Sequence, residues 1–439
     1  MVPGNPMKES SVSMTKALMC APLLGALLLP CAFAQPPGPG GASGIQGRGR
    51  GGPAFGSGFQ ALRSPQVMTD GRVTFRYRAP NAKTVILVPE PGDRTPMIKS
   101  DDGIWSVTIG PLQPDVYAYS FTVDGVGMPD PSSGAVMKTG RPNAAGELGA
   151  SGNWQSQFLV PGHPAEPWEM TSIPHGAMSH VVFYSKAMEA YRDYYVYMPP
   201  AYDAKRSRRY PVLYLHHGAG ENASGWPDIG KANLILDSLI AAGKTKEMIV
   251  VMPLGHPAQP LPEVSDPNAP PLASAGGGRG GGRGGGQGAS GAAGQPVVTP
   301  YFTSLLTEIM PQVEKNYNAG NTKALRAIAG LSMGGGQTLQ IALLHPELFN
   351  YVGMFSPAVG GRGGAAALPT ALTPAWAKQF KVFWIACGSE DTLVGPAVVA
   401  FKAALKENAV PFTDIVTPGI HSYTVWKRNL VAFTPLLFQ

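Results

Sequence analysis

The chain is 439 residues long, enough for two or three domains, each with its own core. Charged residues make up only 14%, while Gly (56) and Pro (44) are over-used, which excludes a uniformly packed chain and predicts unstructured spacers. The formal net charge of +6 draws on Arg48, Arg50, Arg279 and Arg283, all in Gly-rich tracts, so it makes no case for a nucleic-acid partner.

The chain opens on a targeting pattern. Lys16 precedes an apolar stretch over residues 17–29, and Ala32-Phe33-Ala34 has the small–x–small form of a cleavage site. Residues 1–34 are therefore expected to be the signal peptide of an exported protein, periplasmic or secreted. The stretch is too short to span a bilayer, so no stable membrane insertion is expected after its removal. Cleavage would take Cys20 and Cys31 and leave Cys387 alone, without a disulfide. Cys387 reads as a small apolar filler. Residues 35–58 (QPPGPGGASGIQGRGRGGPAFGSG) carry no apolar period and predict a flexible linker.

Ordered patterning begins with period two. Val73, Phe75 and Tyr77 alternate with Arg72, Thr74, Arg76 and Arg78, the mark of a half-buried strand. Further short strands are expected at residues 85–88, 105–109 and 117–123. Turn signals separate them at Ala79-Pro80-Asn81, Pro91-Gly92-Asp93 and Asp101-Asp102-Gly103. Strands at this spacing with no helical stretch predict a small all-β, immunoglobulin-like sandwich over residues 59–160. Trp105, alternating with Val107 and Ile109, reads as a core residue before it reads as a sugar platform.

From about residue 165 to 439 the pattern changes. Apolar runs at 212–215, 248–252, 327–329, 382–386 and 412–416 alternate with helical periodicity, as in Leu305, Leu306, Ile309, Met310 and Val313. A second helix, with Val398, Phe401, Ala404 and Leu405 at the same spacing, is expected from near Pro396. Continuous apolar strands between amphipathic helices predict an α/β domain with a mainly parallel sheet, and residues 194–198 should pair near one edge. Residues 257–297 interrupt it with a Pro-rich, then Gly-rich insertion, expected to be disordered or a flap. Its Arg-Gly-Gly repeats hold two arginines and no aromatic, so a solvated loop is favoured over RNA binding.

Three residues carry the chemistry. Gly330-Leu331-Ser332-Met333-Gly334 fits G-x-S-x-G, of which roughly 0.4 copies are expected by chance in such a chain. Here it follows a strand and opens a helix, the context in which a serine sits on a strained turn with its hydroxyl exposed. His421, beyond the last strand and Pro418-Gly419, is the expected base. His216, His217 and His256 follow strands but precede the serine, and His345 reads as a helix-end cap. Glu390 and Asp391 both follow the strand ending near Gly388, and Asp391 is preferred as the acid that orients the base. The order serine, acid, histidine is that of an α/β-hydrolase. Backbone amides of Met333 and of Ala219, in the turn His216-His217-Gly218-Ala219-Gly220, are the expected oxyanion donors. Trp226 is a candidate floor for an aromatic or sugar subsite, with core packing as the equal alternative. No metal or cofactor is implied.

These motifs, His217 to Gly220, Gly330 to Gly335, Cys387 to Asp391, and His421 with Trp426 beyond it, resemble the esterase-D-like hydrolases. Within these they are most similar to carbohydrate esterases of family one, which include feruloyl and acetyl xylan esterases. The resemblance implies an α/β-hydrolase fold and an acyl-enzyme mechanism on a small-molecule or polysaccharide ester. It implies the serine, acid and base roles for Ser332, Asp391 and His421, and the oxyanion role for Ala219 and Met333. The N-terminal region resembles an E-set module related to glycogen-binding domains. Ile420 stands where the family often has Gly, and the Gly-rich insertion replaces a short loop. A siderophore trilactone esterase, which also pairs a β-domain with such a hydrolase, and an inactive polysaccharide-binding protein are the competing readings.

Overall fold

A computed structural model describes residues 62–134, 136–138, 154–256, 298–359 and 368–439. The expected signal peptide, linker and Gly-rich insertion lie outside the described residues.

The first part is all β. Its strands are β1 (Gln66–Val67), β2 (Val73–Arg78), β3 (Val85–Glu90), β4 (Thr95–Pro96), β5 (Ile98–Lys99), β6 (Ile104–Ile109), β7 (Asp115–Val123), β8 (Val126–Met128), β9 (Val136–Lys138) and β10 (Trp154–Val160). They form one sheet in the order β1-β2-β6-β5 and a second in the order β4-β3-β7-β10-β9, with β8 on β7. Alternation decides which faces meet. Val73, Phe75 and Tyr77 from the first sheet and Val85, Leu87, Tyr119, Phe121 and Phe158 from the second close a single apolar core. Trp105 lies in that core with its indole N–H donated to the Ala79 carbonyl at 2.9 Å.

The second part is built on a mixed sheet. Two antiparallel strands, β11 (Ala177–Ser185) and β12 (Ala190–Met198), lead into β13 (Val212–His216), β14 (Ile249–Pro253), β15 (Arg326–Leu331), β16 (Tyr351–Phe355), β17 (Val382–Gly388) and β18 (Thr413–Thr417). The order is β11-β12-β14-β13-β15-β16-β17-β18, with every pairing from β14 to β18 parallel. The central strands β13, β14 and β16 are buried at every residue, as a parallel sheet covered on both faces requires. The coverage comes from α1 (Ala232–Ala241), α2 (Pro300–Ser304) continuing through a π-turn into α3 (Met310–Asn316), α4 (Met333–Leu344), α5 (Pro374–Ala377), α6 (Gly395–Glu407) and α7 (Tyr423–Phe433). Two apolar clusters result, one on each face of the sheet. The strand expected near the edge at 194–198 is second from it, because β11 pairs outside it.

The all-β part packs on α7. Lys427 Nζ donates to Asp115 of β7, and Arg428 Nη1 lies 2.9 Å from the other oxygen of the same carboxylate. Both cations also face the Trp168 ring, at 5.0 and 5.2 Å from its centroid. Burial pushes the Lys427 ammonium down to about 8, against the pull of Asp115.

Candidate active site

The site grows from the turn between β15 and α4. Ser332 sits there at φ 50° and ψ −117°, a conformation costly for a residue with a β-carbon. It persists because its backbone is fixed on both sides. Its N–H donates to the Phe355 carbonyl at 2.9 Å, and its carbonyl accepts from Ala358 N at 2.8 Å and Gly336 N at 3.1 Å. The flanking glycines are required by close approach. A β-carbon on Gly330 would stand 2.4 Å from the Gly334 carbonyl oxygen, and one on Gly334 would stand 2.4 Å from the carbonyl oxygen of His217.

His421, in the loop between β18 and α7, brings Nε2 to 3.0 Å from Ser332 Oγ. Its Nδ1 lies 2.6 Å from Asp391 Oδ2, which fixes the tautomer with the proton on Nδ1. Asp391 follows β17, and its other oxygen accepts from the backbone amides of Leu393 at 3.1 Å and Val394 at 3.0 Å. Burial works against the charged carboxylate, but the His421 hydrogen bond and the Val394 amide hold it below the usual carboxylate range. Glu390, the weighed alternative, is exposed and uses only its backbone here, donating to the Gly419 carbonyl. The three side chains are thus brought together from loops after three different strands. A hydroxyl, an imidazole and a carboxylate in this line can move a proton from oxygen to nitrogen while the carboxylate steadies the resulting imidazolium. Cys387 is buried beneath them, its thiol raised by burial.

The turn after β13 passes beside the serine: a β-carbon on Gly218 would lie 3.4 Å from Ser332 Cβ. Its successive amides have different partners. Gly218 N donates to Glu221 Oε2 at 3.0 Å and Gly220 N to His256 Nε2 at 2.9 Å. The Ala219 amide between them bonds no described group. Met333 opens α4, where a first-turn amide has no intrahelical acceptor. Two unclaimed donors therefore flank the serine, and the N-terminus of α4 adds its partial positive charge.

Trp226 does not line this site. Its side chain is wholly buried, its indole N–H donates to the His216 carbonyl at 2.9 Å, and its ring packs edge-on to Phe355 and Tyr423. The subsite reading is corrected to the packing one, because the residue after the Gly-rich turn folds inward under β13. His345 ends α4 as its C-cap, its backbone N–H donating to the Ile341 carbonyl at 2.8 Å, while its ring Nδ1 lies 3.1 Å from Glu347 Oε1. His216 and His217 are buried under the turn, and burial lowers them to about 4 and about 3, so both are neutral. Glu221, Tyr423 and His256 were not anticipated as supports: Glu221 Oε2 also accepts from the Tyr423 hydroxyl at 2.6 Å, across 202 positions of sequence. A cleft beside the histidine loop is lined by Glu221, Ser422, Tyr423 and Thr424 and, from the all-β part, by Glu90 and Gln155. Among the described residues no group of three or more His, Cys, Asp or Glu side chains is arranged to hold a metal ion.

Comparison with known proteins places the chain in an esterase family. The family model described as "Putative esterase" matches residues 185–271 and 283–437. A curated relative, the endo-1,4-beta-xylanase/feruloyl esterase of Xylanibacter ruminicola, is 31% identical over 385 residues, covering 85% of this chain. The chain spans 46% of that relative's length. Among solved structures, the enterochelin esterase of Shigella flexneri matches 86% of this chain and 95% of its own at a TM-score of 0.57 and 15% identity, a likeness of fold. A ferulic acid esterase of Anaeromyces mucronatus matches 62% of this chain and 93% of its own, at 23% identity and a TM-score of 0.47.

Proposed function

Because this chain belongs to the esterase family whose model matches it over residues 185–271 and 283–437, we propose that it is an exported serine esterase that removes feruloyl or acetyl groups from plant polysaccharide. The observation that carries the reading is the line Ser332–His421–Asp391, with 3.0 and 2.6 Å between its members. In the first step His421 Nε2 takes the Ser332 proton as the oxygen attacks the acyl carbonyl. The new oxyanion is met by the Ala219 and Met333 amides. The alcohol leaves with the proton from His421, and water then repeats the sequence on the acyl-enzyme. Asp391 stabilises the imidazolium formed in each step. The acyl preference is supported by the curated relative, whose name joins xylanase and feruloyl esterase activities.

A second reading is a siderophore trilactone esterase, favoured by the fold match that extends across the all-β part as well as the hydrolase part. Turnover of methyl ferulate, p-nitrophenyl acetate and a catecholate trilactone by the purified protein separates the two. Ser332→Ala is expected to abolish turnover by several orders of magnitude and to block labelling by a fluorophosphonate. Near-normal turnover by that variant would end the proposal, and preference for the trilactone would select the second reading.

A further inference from the structure

We propose that Glu221 and His256 are positioning residues that aim the Ala219 amide at the developing oxyanion, an inference that rests on the esterase reading above. The turn holds three consecutive amides, and its two outer ones are tied by side chains from different places. Glu221 Oε2 accepts from Gly218 N at 3.0 Å, and His256 Nε2 accepts from Gly220 N at 2.9 Å. With both neighbours held, rotation of the peptide between them is restricted, and its N–H is the one left for substrate. An amide so fixed pays no reorganisation cost as negative charge forms.

Each anchor is itself fixed. Glu221 is buried, and its Oε2 also accepts the Tyr423 hydroxyl at 2.6 Å. The Tyr423 ring packs edge-on to Trp426 at 5.1 Å, and Trp426 packs edge-on to the His421 ring at 4.8 Å. The oxyanion turn and the base therefore share one frame. His256 is held through its carbonyl, which accepts from the Arg192 guanidinium, and through Gly255, whose N–H donates to His217 Nε2 at 2.9 Å. The Gly255 carbonyl in turn accepts from Gln337 Nε2 of α4 at 2.9 Å, so the helix carrying the Met333 amide is tied to the same support. A β-carbon on Gly225 would stand 2.7 Å from the Tyr423 hydroxyl and 3.1 Å from Glu221 Oε2, which shows how little room these groups have to move.

The test compares Glu221→Ala, Glu221→Gln and His256→Ala in the full chain, with p-nitrophenyl acetate as substrate and a phenylboronic acid as the tetrahedral mimic. Glu221→Ala and His256→Ala are expected to lower kcat by roughly 10–100-fold, below the cost of deleting a donor outright. KM should stay within about twofold, because the amide acts only on the transition state. Affinity for the boronate should fall by the same factor as kcat. Glu221→Gln, which keeps an acceptor oxygen in place, should recover most of the loss. A role in packing alone would lower the melting temperature without this parallel between kcat and boronate affinity. If Glu221→Ala does not fold, Tyr423→Phe carries the test in the same direction with a smaller kcat loss. Folded variants with wild-type kcat, a loss carried by KM, or unchanged boronate affinity would overturn the proposal. Ser332→Ala run alongside keeps the two inferences apart: if it is inert while the Glu221 and His256 variants are normal, only the positioning role fails.

Discussion

Gly334→Ala puts the elbow under direct strain. The added carbon would stand 2.4 Å from the His217 carbonyl oxygen, 2.6 Å from His216 Cβ and 2.9 Å from the His216 carbonyl carbon. None of these belongs to the free end of a flexible side chain, so relief requires the start of α4 and the end of β13 to separate by about 1 Å, at an overpacking cost of about 1–3 kcal/mol. The same movement drives the Met333 amide and the Ala219 turn apart. A misplacement of about 1 Å at a reacting centre costs on the order of 10²-fold in rate. The expected result is a folded protein whose kcat/KM for p-nitrophenyl acetate falls by roughly that factor, with a melting temperature lower by several degrees. Circular dichroism melts and initial rates on one preparation measure both. A variant with unchanged rate and unchanged melting temperature would refute the close approach between helix and turn.

Three further outcomes follow from the same packing. Asp115→Ala leaves Lys427 buried beside Arg428, and should cost about 3–5 kcal/mol in urea unfolding, whereas the double change Asp115→Leu with Lys427→Met should recover much of that; equal losses in both would refute the pairing. His216 and His217 have folded values near 4 and 3, below the ordinary 6.5, so the unfolded chain binds more protons under acid. Their contribution is complete above about pH 6.5 and is lost as pH falls toward 4 and 3, about 2 kcal/mol from each by pH 5, which urea midpoints at pH 7 and pH 5 would register. Trp226→Phe should lower stability by roughly 1–3 kcal/mol through the orphaned His216 carbonyl, with KM for methyl ferulate unaltered; a raised KM at full stability would restore Trp226 to the binding surface.

The path from sequence to site was shortest where chemistry and local structure coincide. Ser332 announces itself because only a strained turn needs glycines at 330 and 334, and the close approaches of those two residues are the reason. Asp391 and His421 follow apolar runs that read as strands, the buried β17 and the edge strand β18, and both side chains reach one line with Ser332. The strand Tyr351–Phe355 escaped notice because Gly353 interrupts its apolar run, and Leu348 and Phe349 just before it blur where it begins. Trp226 stayed open between a subsite floor and core packing for a different reason. Whether an indole after a Gly-rich turn lies on the surface or under the sheet depends on where the chain goes next, and no periodicity encodes that. The Glu221–Tyr423 hydrogen bond joins residues 202 positions apart, so nothing local marks either as a support.

The ion pair between Asp115 and Lys427 places the all-β part in contact with the helix that begins two residues after His421. Lys427 is fully buried against β7, so a shortened chain beginning after residue 165 would lose its carboxylate partner and uncover that face of α7. The β-strand region is therefore a structural partner of the esterase half rather than a detachable appendage. Calorimetry should see both melt in a single cooperative event.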